Sequence, residues 1–236
     1  MESTGYTTLT RLSGLAREMD VIANNIANAA TTGFRTEEMI FSEYIQDVEE
    51  GPSISMALGD IRWLNYAQGT LSPTGGSLDF AIEGDGFFLV QTPGGERLTR
   101  AGSFATNANG DLVTNDGYPV LDAGGAPVFI PPMTDIGVAA DGTISADGVA
   151  VGQIGIVVPS DPTTMQREGG TMFLAEGGYD AAENPRVVQG FLEASNVSPV
   201  AEVARMISVQ RAYELGQSFL DREDDRVRNM LKTLTR

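Results

Sequence analysis

Residues 8–30, TLTRLSGLAREMDVIANNIANAA, decide how this chain is read. Leu9, Leu12, Ala16, Met19, Ala23, Ile26 and Ala30 recur at alternating spacings of three and four residues. That period predicts a helix from about Thr8 to Ala29 with a narrow stripe suited to a coiled-coil seam. Small side chains dominate the later half of the stripe, so the helix buries little area alone and depends on partners. Thr31-Thr32-Gly33 follow, with Gly33 placed as a C-terminal cap. A second helical pattern occupies residues 199–235. Ser198 is a good N-cap, Pro199 fits the first helical position and Glu202 suits the first turn. Val200, Val203, Ala204, Ile207, Ala212, Leu215, Phe219 and Leu220 follow, then Val227, Met230, Leu231 and Leu234, with a polar middle at Gln210, Arg211, Glu214 and Gln217.

The middle of the chain is built differently. Residues 36–198 hold ten of the 11 prolines and 24 of the 28 glycines. Short apolar runs stand at residues 78–82, 87–90, 112–113, 128–130, 154–158, 172–174 and 187–192. Between them lie Asp85-Gly86, Gly94-Gly95, Asn109-Gly110, Asp116-Gly117, Gly124-Gly125, Asp141-Gly142 and Asp147-Gly148. Such pairs supply the positive φ of tight hairpins, so this part reads as an antiparallel meander or small barrel. Residues 37–44 fit a short helix or a strand equally, and Met56-Ala57-Leu58 is equally open. The expected fold is therefore α+β. Its long N- and C-terminal helices pair as a coiled coil, and an antiparallel β-rich domain is inserted between them. The division is 1–35 (N-terminal helix), 36–72 (transitional), 73–194 (β-rich) and 195–236 (C-terminal helix).

Composition bounds the chemistry. The 236 residues suffice for one large or two small domains, and they include no cysteine and no histidine. Disulfides, thiolate chemistry and the commonest general base are thereby absent. The net charge of −17 is unevenly placed: residues 1–35 are neutral, 198–236 carry +1 and 36–197 carry −18. Such a surface disfavours nucleic acid and anionic lipid, because phosphates need Lys and Arg. Near-neutral ends with apolar periodicity can pack on copies of themselves while the acidic body faces outward. No apolar run approaches the roughly 20 residues of a membrane span. The N-terminus shows no basic and apolar signal region, which reads as cytoplasmic unless the chain leaves by a route without a cleaved signal.

Several clusters imitate active sites. Asn107, Asn109 and Asp111 resemble the start of a calcium loop, but the later Glu and flanking helices are missing, so a hairpin turn is expected. Gly84-Asp85-Gly86 has only the glycines of a phosphate loop. Asp79, Glu83 and Asp85 could be imagined as the acid pair of a wall-carbohydrate hydrolase. Glu223-Asp224-Asp225 fits a solvated helix face. The reading is that the chain is no enzyme and has no catalytic, cofactor or metal site; a free binding module or adhesin is a further alternative class.

The segment Ala23-Asn24-Asn25-Ile26-Ala27-Asn28-Ala29-Ala30-Thr31-Thr32-Gly33-Phe34 is harder to dismiss. Three Asn in five residues weaken an isolated helix, so their amides are expected to hydrogen-bond across a packed interface. Residues 23–35 resemble the N-terminal signature of bacterial flagellar rod and hook proteins. Residues 78–88, 99–104, 109–113 and 116–121 resemble the β-domain shared by that family, and residues 195–198 with 203–215 resemble its C-terminal signature. The matches run in the family's order over most of the chain, with the opening residues 6–22 most like a proximal-rod member and a distal-rod or hook-type member as the alternative. The resemblance implies a structural subunit of the flagellar rod in the basal body, exported unfolded through the flagellar type III apparatus without a cleaved signal. Its implied partners are copies of itself and other rod proteins, with no nucleic acid and no membrane insertion. It would polymerise through its terminal helices and transmit torque across the periplasm. The assembly residues it implies are Leu12, Met19, Asn24, Asn25, Ile26, Asn28, Thr32, Gly33, Phe34, Asn196, Val203, Ile207, Gln210, Arg211 and Tyr213.

Overall fold

The computed structural model describes residues 2–46, 54–132 and 135–234. The chain divides into two compact units. One holds residues 1–27, 36–65 and 197–236; the other holds 28–35 and 66–196.

The first unit contains both long helices, α1 (Glu2–Ala27) and α2 (Pro199–Leu234), and a hairpin of β1 (Glu37–Gln46) and β2 (Ile54–Leu64). Helix α1 begins earlier and ends two residues sooner than its apolar period suggested. Helix α2 starts at Pro199, as the Ser-Pro signal requires. The undecided segment 37–44 is strand, and Met56-Ala57-Leu58 lies in its partner strand; the register pairs Glu37 with Leu64 and slips at a bulge between Ile40 and Phe41. The helices pack through buried Leu15, Ile22 and Val209, with Met19, Ile26, Met206, Ala212 and Tyr213 around them. They meet closely at Gly216, where a Cβ would come within 2.7 Å of Leu12 Cδ2.

The burial of α1 departs from a narrow seam. Leu9, Ala23 and Ala30 of the expected stripe are exposed, whereas Leu15, Val21 and Ile22, outside it, are buried. The cause is that α1 packs against α2 and against β1 and β2, so it buries a broad face and not one line.

The second unit is all β. It runs through β3 (Leu71–Pro73), β4 (Phe80–Ile82), β5 (Phe87–Thr92), β6 (Gly95–Thr99), β7 (Phe104–Thr106), β8 (Leu112–Thr114) and β9 (Ile136–Val138). It continues through β10 (Thr143–Ala146), β11 (Val149–Gln153), β12 (Ile156–Pro159), β13 (Met165–Arg167), β14 (Met172–Ala175), β15 (Tyr179–Ala181), β16 (Val187–Gln189) and β17 (Phe191–Glu193). The local hairpins β5–β6, β7–β8, β10–β11 and β13–β14 follow from the turn residues; Asp147 and Gly148, at φ +48° and +81°, make the two-residue connection of β10–β11. The larger order, β13-β14-β6-β5-β12-β15, is antiparallel throughout but is not a meander, because β6 pairs with β14 and β5 with β12. Phe87, Phe88, Leu89 and Val90 are all buried, as a central strand covered on both faces demands. The core gathers Phe80, Phe88, Phe104, Leu112, Val120, Ile144, Ile154 and Ile156, with Phe88 edge-on to Phe104 at 5.2 Å.

Candidate assembly site

In the helical unit the three asparagines have separate roles. Asn25 is buried; its Nδ2 donates to the Glu37 carbonyl at 2.8 Å and to Glu202 Oε2 at 3.3 Å, while its Oδ1 accepts from Glu37 N at 3.1 Å. The amide thus mimics a backbone partner for β1 and ties α1 to α2. Asn24 is exposed, and Asn28 Oδ1 accepts from the Thr31 hydroxyl at 3.1 Å, closing the turn after α1. The expectation of amides bridging a packed interface holds for Asn25, but the interface lies inside the chain. A second polar link, Arg205 Nε to Glu18 Oε1 at 3.0 Å, has Glu18 nearly buried. Nothing in the apolar spacing announced Glu18 or Arg205.

The other expected assembly residues of this unit split by exposure. Leu12 is buried, and Met19, Ile26 and Tyr213 are half-buried in the helix pair. Val203, Ile207, Gln210 and Arg211 are exposed. Around them Val200 is 82% exposed and Leu215 72%, and Phe219, Val227, Met230 and Leu231 also face solvent, joined by Tyr6 and Leu9 on α1. Together they leave a long run of apolar side chain in water on a paired helix.

Asn28, Thr32, Gly33, Phe34 and Asn196 belong to the β unit, where segments 33–35, 66–69 and 193–196 are bound together. Glu193, 1% exposed, is the hub: its carboxylate meets Arg35 Nη2 at 2.7 Å and Arg100 Nη1 at 3.1 Å and accepts from Gly69 N at 3.0 Å. Arg35 also donates to the carbonyls of Tyr66 and Ala67, and Arg100 to those of Ile82 and Gly84. Burial pulls Arg35 below its ordinary value, with Glu193 and Asp85 opposing, and burial brings Arg100 down to about 10. Arg100 therefore stays charged at neutral pH, and both arginines leave their Nε without a partner. Gly33 N donates to the Glu193 carbonyl at 2.8 Å; Asn196 donates from its backbone to Phe34 O and from Nδ2 to Ala67 O.

Gly33 lies six residues beyond the end of α1 and does not cap it. Its φ is +71° and an added Cβ would stand 2.3 Å from Ala101 N, so it is glycine because the backbone passes against Arg100-Ala101. Phe34, 1% exposed, lies beneath the guanidinium of Arg167 at 4.2 Å, which also covers Phe173 at 4.8 Å. Thr32 is half-buried. Sequence reasoning missed Arg35, Arg100, Arg167 and Glu193; the available signal was that Arg100 and Arg167 are two of only five basic residues in the strongly acidic stretch 36–197, with Arg35 adjoining it, and scarce cations there need carboxylates.

The imitation sites resolve into local structure. Asn107 Oδ1 accepts from Asn109 N and Asp111 N at 2.8 and 2.9 Å, which makes the calcium-like stretch the turn of β7–β8. Asp79 accepts from the Thr74 hydroxyl at 2.6 Å, and Glu83 pairs with exposed Arg186. Glu223 and Asp224 pair with Arg226 and Arg228 on the surface of α2.

Three family models match in chain order: "Flagella basal body rod protein" over residues 6–35, "Flagellar hook protein FlgE/F/G D1 domain" over 81–146 and "Flagellar basal body rod FlgEFG protein C-terminal" over 188–234. The flagellar basal-body rod protein FlgF of Caulobacter vibrioides is 41% identical over 99% of this chain and 98% of its own length. FlgF of Mesorhizobium japonicum is 36% identical over the same shares. The rod protein FlgG of Bacillus subtilis is 31% identical over 93% of this chain and 94% of its own.

Proposed function

The chain belongs to the family of bacterial flagellar basal-body rod proteins, and from that premise we propose how it performs its structural role. It is a rod subunit, 41% and 36% identical to two relatives named FlgF. We propose that it polymerises with its own copies and with other rod proteins through α1 and α2, which form the inner, coiled-coil layer of the rod, and that the β unit forms the outer layer. The proposed periplasmic location, torque transmission and type III export without a cleaved signal follow from the family alone. No helix among the described residues is long and apolar enough to cross a membrane.

One observation carries the assembly reading. The β unit closes its own core, whereas the helical unit leaves apolar side chains at helical spacing in water. Burying a fully exposed side chain of this kind is worth about 1.5–3 kcal/mol and a half-exposed one about half as much, and only neighbours can supply that burial. Asn24, Val203, Ile207, Gln210 and Arg211 are then the contact residues of the expected set. Leu12, Asn25, Gly33 and Phe34 support assembly by holding the subunit's own fold.

The test is the double change Val203→Asp with Ile207→Asp. Both positions are exposed, so the unfolding midpoint should move little. Sedimentable assembly in vitro and swimming in cells should be lost; normal swimming would refute the interface.

A further inference from the structure

The terminal helices differ in length, 26 residues against 36. Their antiparallel register is fixed by Asn25 on Glu202, Glu18 on Arg205 and Leu12 beside Gly216. Continued at equal rise, it brings the start of α1 level with about residue 226 of α2. The last two turns of α2 therefore reach beyond α1. Val227, Met230 and Leu231 form one exposed apolar face there, at i, i+3 and i+4. Residues 226–236 carry four basic side chains and no acidic one, and two of the four, Arg226 and Arg228, pair with Glu223 and Asp224 one turn back along α2.

The hairpin β1–β2 has the opposite chemistry. Glu37, Met39 and Leu64 are buried on its inner face, while Ile40 and Trp63 on the outer face are each 45% exposed. Glu38 stands directly across from Trp63, the chain's one tryptophan. Residues 36–65 carry seven acidic side chains against the single Arg62, and six remain when the buried Glu37 of the inner face is set aside.

We propose that the basic, apolar end of α2 of one copy seats on the outer face of the β1–β2 hairpin of a second copy. The contact pairs Val227 and Met230 with Ile40 and Trp63, and it brings Arg226, Arg228 and Lys232 to the acidic hairpin, where a cation over the indole adds attraction. One copy cannot make this contact with itself. Ile40 and Trp63 sit at the hairpin's root, beside the Glu37 that Asn25 holds next to Glu202. Val227 is 25 residues further along α2, about 38 Å away. The contact is head-to-tail and does not close on a pair, so repetition builds a filament. It rests on the self-assembly proposed above and names one of its interfaces.

The absence of cysteine gives a clean test. Full-length Ile40→Cys and Met230→Cys proteins are mixed, oxidised and separated by sedimentation, with exposed Val149→Cys replacing Ile40→Cys as the control. The expected result is a mixed disulfide dimer at several-fold the control yield, falling several-fold at high salt. Emission of Trp63 in the unsubstituted polymer should shift to the blue. A polymer whose disulfide yield equals the control overturns this docking, including the case in which another partner occupies the hairpin. Failure of the protein to form polymer at all overturns the self-assembly reading and this contact with it.

Discussion

At the scale of single residues, Glu193 is the position on which the β unit depends most. Two buried arginines share its carboxylate, so Glu193→Gln takes from both cations the charge that contacts them and leaves only the more distant Asp85. The expected loss is about 3–5 kcal/mol in chemical denaturation of the full chain, since removing one partner strands the other. Gly33→Ala should cost about 1–3 kcal/mol from backbone strain, with more added by the collision at Ala101; a midpoint equal to the unsubstituted protein would show that this backbone shifts freely. Tyr179 gives a pH signature. Burial first, then its 2.5 Å hydrogen bond to Glu96, raises the phenol from 10.0 to about 12. The unfolded chain therefore loses this proton earlier than the folded one. Its contribution to stability is complete below pH 10 and disappears as the pH rises to about 12. Tyr179→Phe should flatten that part of the alkaline decline, seen as a smaller fall in unfolding midpoint across the window.

At the scale of elements, α1 illustrates how a helix can be legible and its packing not. Its apolar recurrence was plain in the sequence, yet the buried line ran through Leu15 and Ile22 because two neighbours, α2 and the hairpin, share the helix. Asn25 is the element's anchor. Asn25→Ala removes three hydrogen bonds, two of them to the buried backbone of Glu37, for an expected cost of about 1–3 kcal/mol. Circular dichroism should show helix melting before the β signal. Simultaneous loss of both would mean that the two units unfold as one.

At the scale of the whole molecule, the two units assign residues 28–35 to the β unit, although they adjoin α1 in sequence. Deleting residues 1–27 should leave the β unit folded and abolish assembly. Deleting 1–35 should also destabilise the β unit, because it removes Phe34 from Arg167 and Arg35 from Glu193. Equal β stability of the two truncations, measured by thermal melting, would contradict the assignment of residues 28–35 to the β unit. The sequence by itself determined the terminal helices, the antiparallel β insertion and the turns such as Asp147-Gly148, because periodicity and positive-φ residues act over a few positions. It also carried the family, through motifs spread in order along the chain. Only the tertiary structure decided that Gly33 serves a close backbone pass, that Asn25 bonds within the chain and that β6 pairs with β14. It alone brought Arg35, Arg100 and Glu193 together. Apart from the bonds of Asn25 to Glu37, 12 positions away, those outcomes depend on residues 65 to 177 positions apart meeting in a water-excluded place, where an unpaired charge or amide is costly and local spacing leaves no trace.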